Sequence, residues 1–193
     1  MRPVSGWREF RQCRRSSSRL ALRCHIDWCS HNNTVSQPRD VTALVEHLGK
    51  IASAAPKTPF LYYHFPEMTG VNIPVYDVLV AGSKVIPTLS GAKFTSLDLG
   101  DYYRCVALEG KKRERVFFLP CFSILSFGSG GRFSILQGYE QMMLPCLSLG
   151  ARGFIGLSYS YCAPIYHRLI EAVREGDMAT ARSLQLKVPV FEV

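Results

Sequence analysis

From Asp40 onward the chain alternates short apolar runs with amphipathic stretches, and this alternation limits the fold more than any other feature. Asp40 is a good helix N-cap. Val41, Leu44, Val45, Leu48 and Ile51 then fall on one stripe of a helix that should end near Ala55, before Pro56. Pro59 to Tyr63 reads as a short strand, which Pro66 stops, and Thr69-Gly70 makes a turn. Pro74 suits the first turn of a second helix, reaching about Lys84. Thr88 to Phe94 reads as a strand and Leu97 to Leu108 as a helix. Strand-like residues recur at Arg115 to Leu119 and Gly153 to Ser158; helical patterns recur at Glu140 to Leu149, Ala163 to Arg174 and Asp177 to Lys187. Repeated βα units of this kind build a parallel sheet, an α/β fold. Chemistry in such folds sits at the C-terminal ends of the strands. Tyr63 and Lys93 both fall at predicted strand ends.

Two stretches break the rhythm. Residues 1–37 are rich in Arg and Ser and show no sustained periodicity. Three readings stay open for them: a disordered tail, a mitochondrial transit peptide (Arg-rich, Ser-rich and poor in acid), or a non-homologous segment. The second stretch, 119–136, reads LPCFSILSFGSGGRFSIL and has no charge but Arg132. It fits neither a strand with its loop nor a helix. We read it as an insertion with a mobile centre at Gly128-Ser129-Gly130-Gly131.

Composition narrows the function classes. The formal net charge is +8, but seven arginines against Glu9 in the first 24 residues leave only two net positive charges for the rest. The basic balance is therefore a local tail. A nucleic-acid surface needs basic residues repeated across a folded face, so an RNA-binding role rests on that tail alone. The seven cysteines are odd in number and irregular in spacing, which reads as reduced thiols in a reducing compartment. Cys24, Cys29, His25 and His31 match no zinc spacing well, and no metal site is expected. Asn32-Asn33-Thr34 is a glycosylation sequon, relevant only in a secreted chain. No apolar N-terminal core of a signal peptide is apparent. The longest apolar run, Val116 to Phe127, is too short to span a membrane and contains Pro120.

Lys93 sits in Ser90-Gly91-Ala92-Lys93-Phe94-Thr95. Lysine is rarely buried without a reason. Desolvation lowers a lysine pKa and supplies the neutral amine that a Schiff base requires. The ordinary reading is a strand-edge lysine in water. Tyr63 precedes His64-Phe65-Pro66-Glu67, and an aromatic in a strand is ordinarily core. His64 reads as a structural histidine more readily than as a base.

Together the two segments resemble the dihydrodipicolinate synthase and N-acetylneuraminate lyase superfamily. Its members close barrel strand five with Tyr-X-(Ile/Phe)-Pro and strand six with Gly-X-Lys-X-(Ser/Thr). Here these read Tyr63-His64-Phe65-Pro66 and Gly91-Ala92-Lys93-Phe94-Thr95, one βα unit apart. Tyr62-Tyr63-His64 with Gly70-Val71 looks most like the animal-type N-acetylneuraminate lyases. Gly138-Tyr139-Glu140-Gln141 is similar to the strand-seven motif Gly-X-Asp-Glu, with Gln141 in place of an acid. Gly153 to Ser160 is similar to the strand-eight segment Gly-Ser-Thr-Tyr-Asn, with Leu157 where a substrate-contacting serine is expected and Ser158 beside it.

The resemblance covers about residues 38–113 and 137–187. It implies the C-terminal half, strands five to eight, of a (β/α)8 TIM barrel. The first half is missing, along with its Gly-Thr-Thr-Gly-Glu loop for the substrate carboxylate. That implies a truncated or alternatively spliced form, and half a barrel leaves two open sheet edges. By the same resemblance the chain is a Schiff-base lyase that cleaves N-acetylneuraminate to N-acetylmannosamine and pyruvate. Lys93 forms the imine, Tyr63 moves the proton, and Thr95, Gly138, Glu140, Gln141 and Ser158 contact substrate. No cofactor is needed. The implied partners are the small-molecule substrate and further subunits of a cytoplasmic homotetramer, with no nucleic acid and no membrane. A catalytically inactive fragment of the same family and a lyase for another 2-keto acid are the alternatives.

Overall fold

The structure, a computed structural model, describes residues 23–24, 37–108, 117–119 and 133–188. Its elements run β1 (Arg23–Cys24), α1 (Val41–Ser53), β2 (Phe60–His64), α2 (Pro66–Thr69), α3 (Val75–Val85), β3 (Leu89–Phe94), α4 (Leu99–Ala107), β4 (Phe117–Leu119), β5 (Ser134–Gln137), α5 (Met143–Ser148), β6 (Gly153–Ile155), α6 (Ala163–Glu175) and α7 (Met178–Gln185). Single 3-10 turns at Glu140–Met142 and Ser158–Ser160 follow β5 and β6.

The strands form one parallel sheet in the order β1-β2-β3-β5-β6-β4. The four inner strands, β2, β3, β5 and β6, are those expected for strands five to eight of a barrel, each followed by helix. Successive side chains point to opposite faces of a strand, so the sheet separates two environments. Phe60, Tyr62, Ala92, Phe94, Ile135 and Phe154 pack into one core with Leu44, Leu48, Val78, Leu79, Tyr102, Tyr166 and Leu169 from the helices. Tyr63, Lys93 and Leu136 alternate onto the other face, and Tyr63 and Lys93 stand opposite each other in the β2–β3 register.

The local reasons match those in the sequence. The Asp40 carboxylate accepts a 2.8 Å bond from the Ala43 N–H and caps α1. The buried Asp101 carboxylate, carried on α4, accepts from the N–H groups of Val75 and Tyr76 at 2.7 and 3.1 Å and so caps α3 from outside. Burial pushes the Asp101 carboxyl pKa up, while those two N–H bonds pull it down.

Three expectations change. The helix predicted from Glu140 begins as a 3-10 turn, with the Met142 N–H donating to the Tyr139 carbonyl at 3.1 Å. Pro145 has no N–H to continue an α-helical ladder back to residue 141. The strand from Gly153 ends at Ile155, because Ser158 already lies in the next turn. The end of 119–136, read as fitting no strand, is strand: Ser134–Gln137 pairs with β3 from Gly91 to Phe94. Four residues in a Ser/Phe/Gly-rich context carry too short an alternation to be seen.

The two expected open edges are also occupied. Arg23 and Cys24 pair with Phe60 and Leu61 beside β2, and Phe117–Leu119 pairs with Gly153–Ile155 beside β6. The remainder of residues 1–37 other than Gln37, the Gly128–Gly131 centre, the sequon, Cys29, His25 and His31 lie outside the described residues. Among the described residues no helix is long and apolar enough to cross a membrane, and none of the His, Cys, Asp and Glu side chains gather into a group that could hold a metal ion.

Candidate active site at the strand ends

β2 and β3 deliver Tyr63 and Lys93 to one point. The Lys93 Nζ donates to the Tyr63 Oη at 3.0 Å and lies 4.1 Å from the Tyr63 ring centroid. Both residues are half-buried. An amine beside a phenol at the C-terminal rim of a parallel sheet can share protons with whatever carbonyl compound reaches it.

Thr95 and Gly138 join this pair. Thr95 is 3% exposed, and its Oγ1 is buried without a hydrogen-bond partner among the described residues. The Thr95 N–H donates to the His64 carbonyl at 2.9 Å and the Gly138 N–H to the Phe94 carbonyl at 2.7 Å, which carries strand pairing past the strand ends. A Cβ on Gly138 would collide with Thr95 Oγ1 and lie 3.2 Å from Lys93 Cε. Only glycine leaves that space.

Glu140 and Ser158 form a second cluster. Glu140 is 5% exposed, and its Oε1 accepts from the Ser158 N–H at 3.0 Å and the Ser158 Oγ at 3.1 Å. Ser158 Oγ also makes a very short bond with the Tyr166 hydroxyl. Burial pushes the Tyr166 phenol pKa up to about 12. Gly156 leaves room for this carboxylate, since a Cβ there would meet it. Glu140 thus ties the turn after β5 to the turn after β6. Gln141 is half-buried in the same 3-10 turn, and Leu157 is 62% exposed.

His64 is buried on the helix side, not beside Lys93. Its ring lies 5.4 Å from that of Phe94, and its Nδ1 has no hydrogen-bond partner among the described residues. Burial lowers its pKa to about 4, with Asp98 opposing. Its place beside Tyr62 and Phe94 fits a packing role.

Sequence reasoning gave no role to four residues that shape the rim. Gln137 Oε1 accepts from the Gly138 and Tyr139 N–H groups at 2.6 and 3.0 Å. Tyr139, 6% exposed, donates its hydroxyl to Glu67 Oε2 at 2.5 Å. Phe65 stacks on Tyr63 (centroids 5.9 Å apart, 26° between planes) and meets Tyr139 edge-on (6.0 Å, 87°). Tyr139 fills the variable position of its motif and Glu67 lies just past the end of its own, so neither carried a signal alone. The one available clue was a large aromatic at a strand end, beside a glycine.

Residues 126–191 match the Dihydrodipicolinate synthetase family. The chain is 34% identical over 156 residues to the N-acetylneuraminate lyase of Mus musculus, covering 81% of this chain and 42% of that protein. It is 34% identical over 155 residues to the N-acetylneuraminate lyase of Gallus gallus, covering 80% and 44%. The chain therefore spans less than half the length of these two curated relatives. Among solved structures, the N-acetylneuraminate lyase (sialic acid aldolase) of Aliivibrio salmonicida superposes with a TM-score of 0.62 at 33% identity, over 77% of this chain and 43% of that one. A dihydrodipicolinate synthase from Aquifex aeolicus superposes with a TM-score of 0.56 at 21% identity, over 78% and 44%, a likeness of fold alone.

Proposed function

Because the chain belongs to the superfamily of dihydrodipicolinate synthetases and N-acetylneuraminate lyases, we propose that Lys93 and Tyr63 form the reactive pair of a Schiff-base lyase acting on N-acetylneuraminate. The observation that carries this reading is the 3.0 Å contact between Lys93 Nζ and Tyr63 Oη at facing positions of two strand ends.

The Lys93 amine attacks the C2 ketone of the open-chain sugar acid, and the Tyr63 phenol gives its proton to the departing C2 hydroxyl, so that loss of water leaves a protonated imine and a phenolate. Tyr63, as phenolate, takes the proton from the C4 hydroxyl. The C3–C4 bond then breaks and its electron pair moves into the iminium, giving an enamine. C4 leaves as the aldehyde of N-acetylmannosamine. Protonation of the enamine at C3 and hydrolysis return pyruvate and the free lysine. Thr95, whose buried hydroxyl lacks a partner among the described residues, and Gly138, which leaves space beside it, border the reacting carbons. Glu140, Gln141 and Ser158 border the sugar tail. Cytoplasmic location and a homotetrameric assembly belong to the same reading.

One observation favours a second reading, a lyase for another 2-keto acid. Glu140 Oε1 is engaged by Ser158 and Gln141 stands where a second acid is expected, so fewer carboxylate oxygens face a polyhydroxy tail. Pyruvate release from N-acetylneuraminate by the full chain, run beside Lys93→Ala, tests the proposal. Release that Lys93→Ala abolishes is expected. No release from this sugar acid, with release from a shorter 2-keto acid, selects the second reading. No release from either marks the chain as an inactive relative.

A further inference from the structure

The catalytic pair sits at the end of an unbroken chain of side-chain contacts that starts outside it. Tyr139 closes the distance between two rims of the sheet: its backbone follows β5, and its hydroxyl reaches Glu67 on α2, which follows β2. Its own position is fixed from below, because Gln137 Oε1 holds the N–H groups of Gly138 and Tyr139. The Tyr139 ring meets Phe65 edge-on, and Phe65 stacks on Tyr63, whose hydroxyl accepts from Lys93. A tyrosine hydroxyl donating to a carboxylate at 2.5 Å is a short, charge-assisted bond. Plain packing would need the ring but not the hydroxyl.

We propose that Tyr139 and Glu67 form a latch that positions Tyr63 against Lys93 by pressing Phe65 onto the Tyr63 ring. Both are positioning residues, since neither touches the reacting atoms. The latch ties the β2 and β5 rims on either side of β3, across the strand that carries Lys93. β1 pairs only with Phe60 and Leu61, and Tyr62 to His64 run beyond it. The catalytic end of β2 therefore has β3 as its only strand neighbour among the described residues, and the latch supplies the second support.

The proposal rests on the Schiff-base reading of Lys93, and the test separates the two. In the full chain, pyruvate with borohydride traps an adduct on Lys93, and its rate of formation is followed by peptide mass spectrometry. Tyr139→Phe and Glu67→Ala are expected to lower the maximal trapping rate roughly tenfold with little change in the half-saturating pyruvate concentration. Glu67→Gln, which keeps an acceptor oxygen, is expected to retain most of the rate. In parallel, reductive methylation of Lys93 with formaldehyde, referenced to Lys84 in the same chain, needs no substrate. It is expected to rise severalfold in Tyr139→Phe and Glu67→Ala as the Tyr63 contact loosens. If wild-type Lys93 takes no pyruvate, the Schiff-base reading fails and the methylation ratio alone decides the latch. An unchanged Lys93-to-Lys84 ratio in both variants, even with lowered melting temperatures, overturns it.

Discussion

Tyr63 and Lys93 each have an ordinary explanation alone, a core aromatic and a strand-edge lysine, and the register makes them a pair. Their facing positions on β2 and β3 follow from the strand alternation; the 3.0 Å contact between them could be expected only from the joint motifs. Tyr63→Phe should separate their roles. Without the phenol, proton transfer is lost and cleavage should slow by about 10²–10⁴, while borohydride still traps pyruvate on Lys93 at a rate lowered only about tenfold. Equal loss of trapping and cleavage would limit the role of Tyr63 to imine formation. His64 makes a pH prediction from the other face of the same strand. Its pKa is about 4 when folded against an ordinary 6.5, so the unfolded chain binds the extra proton. The stability it contributes is fully present above pH 6.5 and is lost as pH falls through 4. The full difference is about 3 kcal/mol. His64→Phe should remove that acid-side loss in urea melts across this pH range. An identical acid-side loss in the variant would show that other groups cause it.

At the scale of elements, helices with a strong apolar stripe and a cap were legible: α1 from Asp40, α3 from Pro74, and α6 within a residue of expectation. What stayed hidden depends on partners distant in sequence. β5 is four residues long and is strand because β3 and β6 lie beside it. Asp101 caps a helix that begins 26 residues before it, and the Tyr139–Glu67 bond spans 72 residues; local patterns do not record such pairings. The β3–β5 junction makes its own prediction. Gly91 adopts φ 151°, and a Cβ there would collide with the Ser134 carbonyl. Gly91→Ala should therefore cost more than about 3 kcal/mol and separate the strands, seen as a large drop in the urea midpoint. A wild-type midpoint would mean that β3 and β5 are held otherwise.

For the whole molecule, the four inner strands with their helices could be read as half a barrel, but not how the sheet would end. The resemblance implied two bare edges. Instead Arg23–Cys24, from the Arg- and Ser-rich stretch 1–37, lies beside β2, and Phe117–Leu119, within the strand-like Arg115 to Leu119, lies beside β6. Their places beside β2 and β6 depend on partners distant in sequence, so only three dimensions show them. In the proposed function this partial barrel still presents Lys93 as an imine-forming amine. The most direct measurement is borohydride reduction of the full chain with pyruvate, followed by peptide mapping. A reduced pyruvate adduct on Lys93 and none in Lys93→Ala is expected. An unmodified Lys93 peptide from folded wild-type protein, or the same adduct spread over surface lysines, would contradict it.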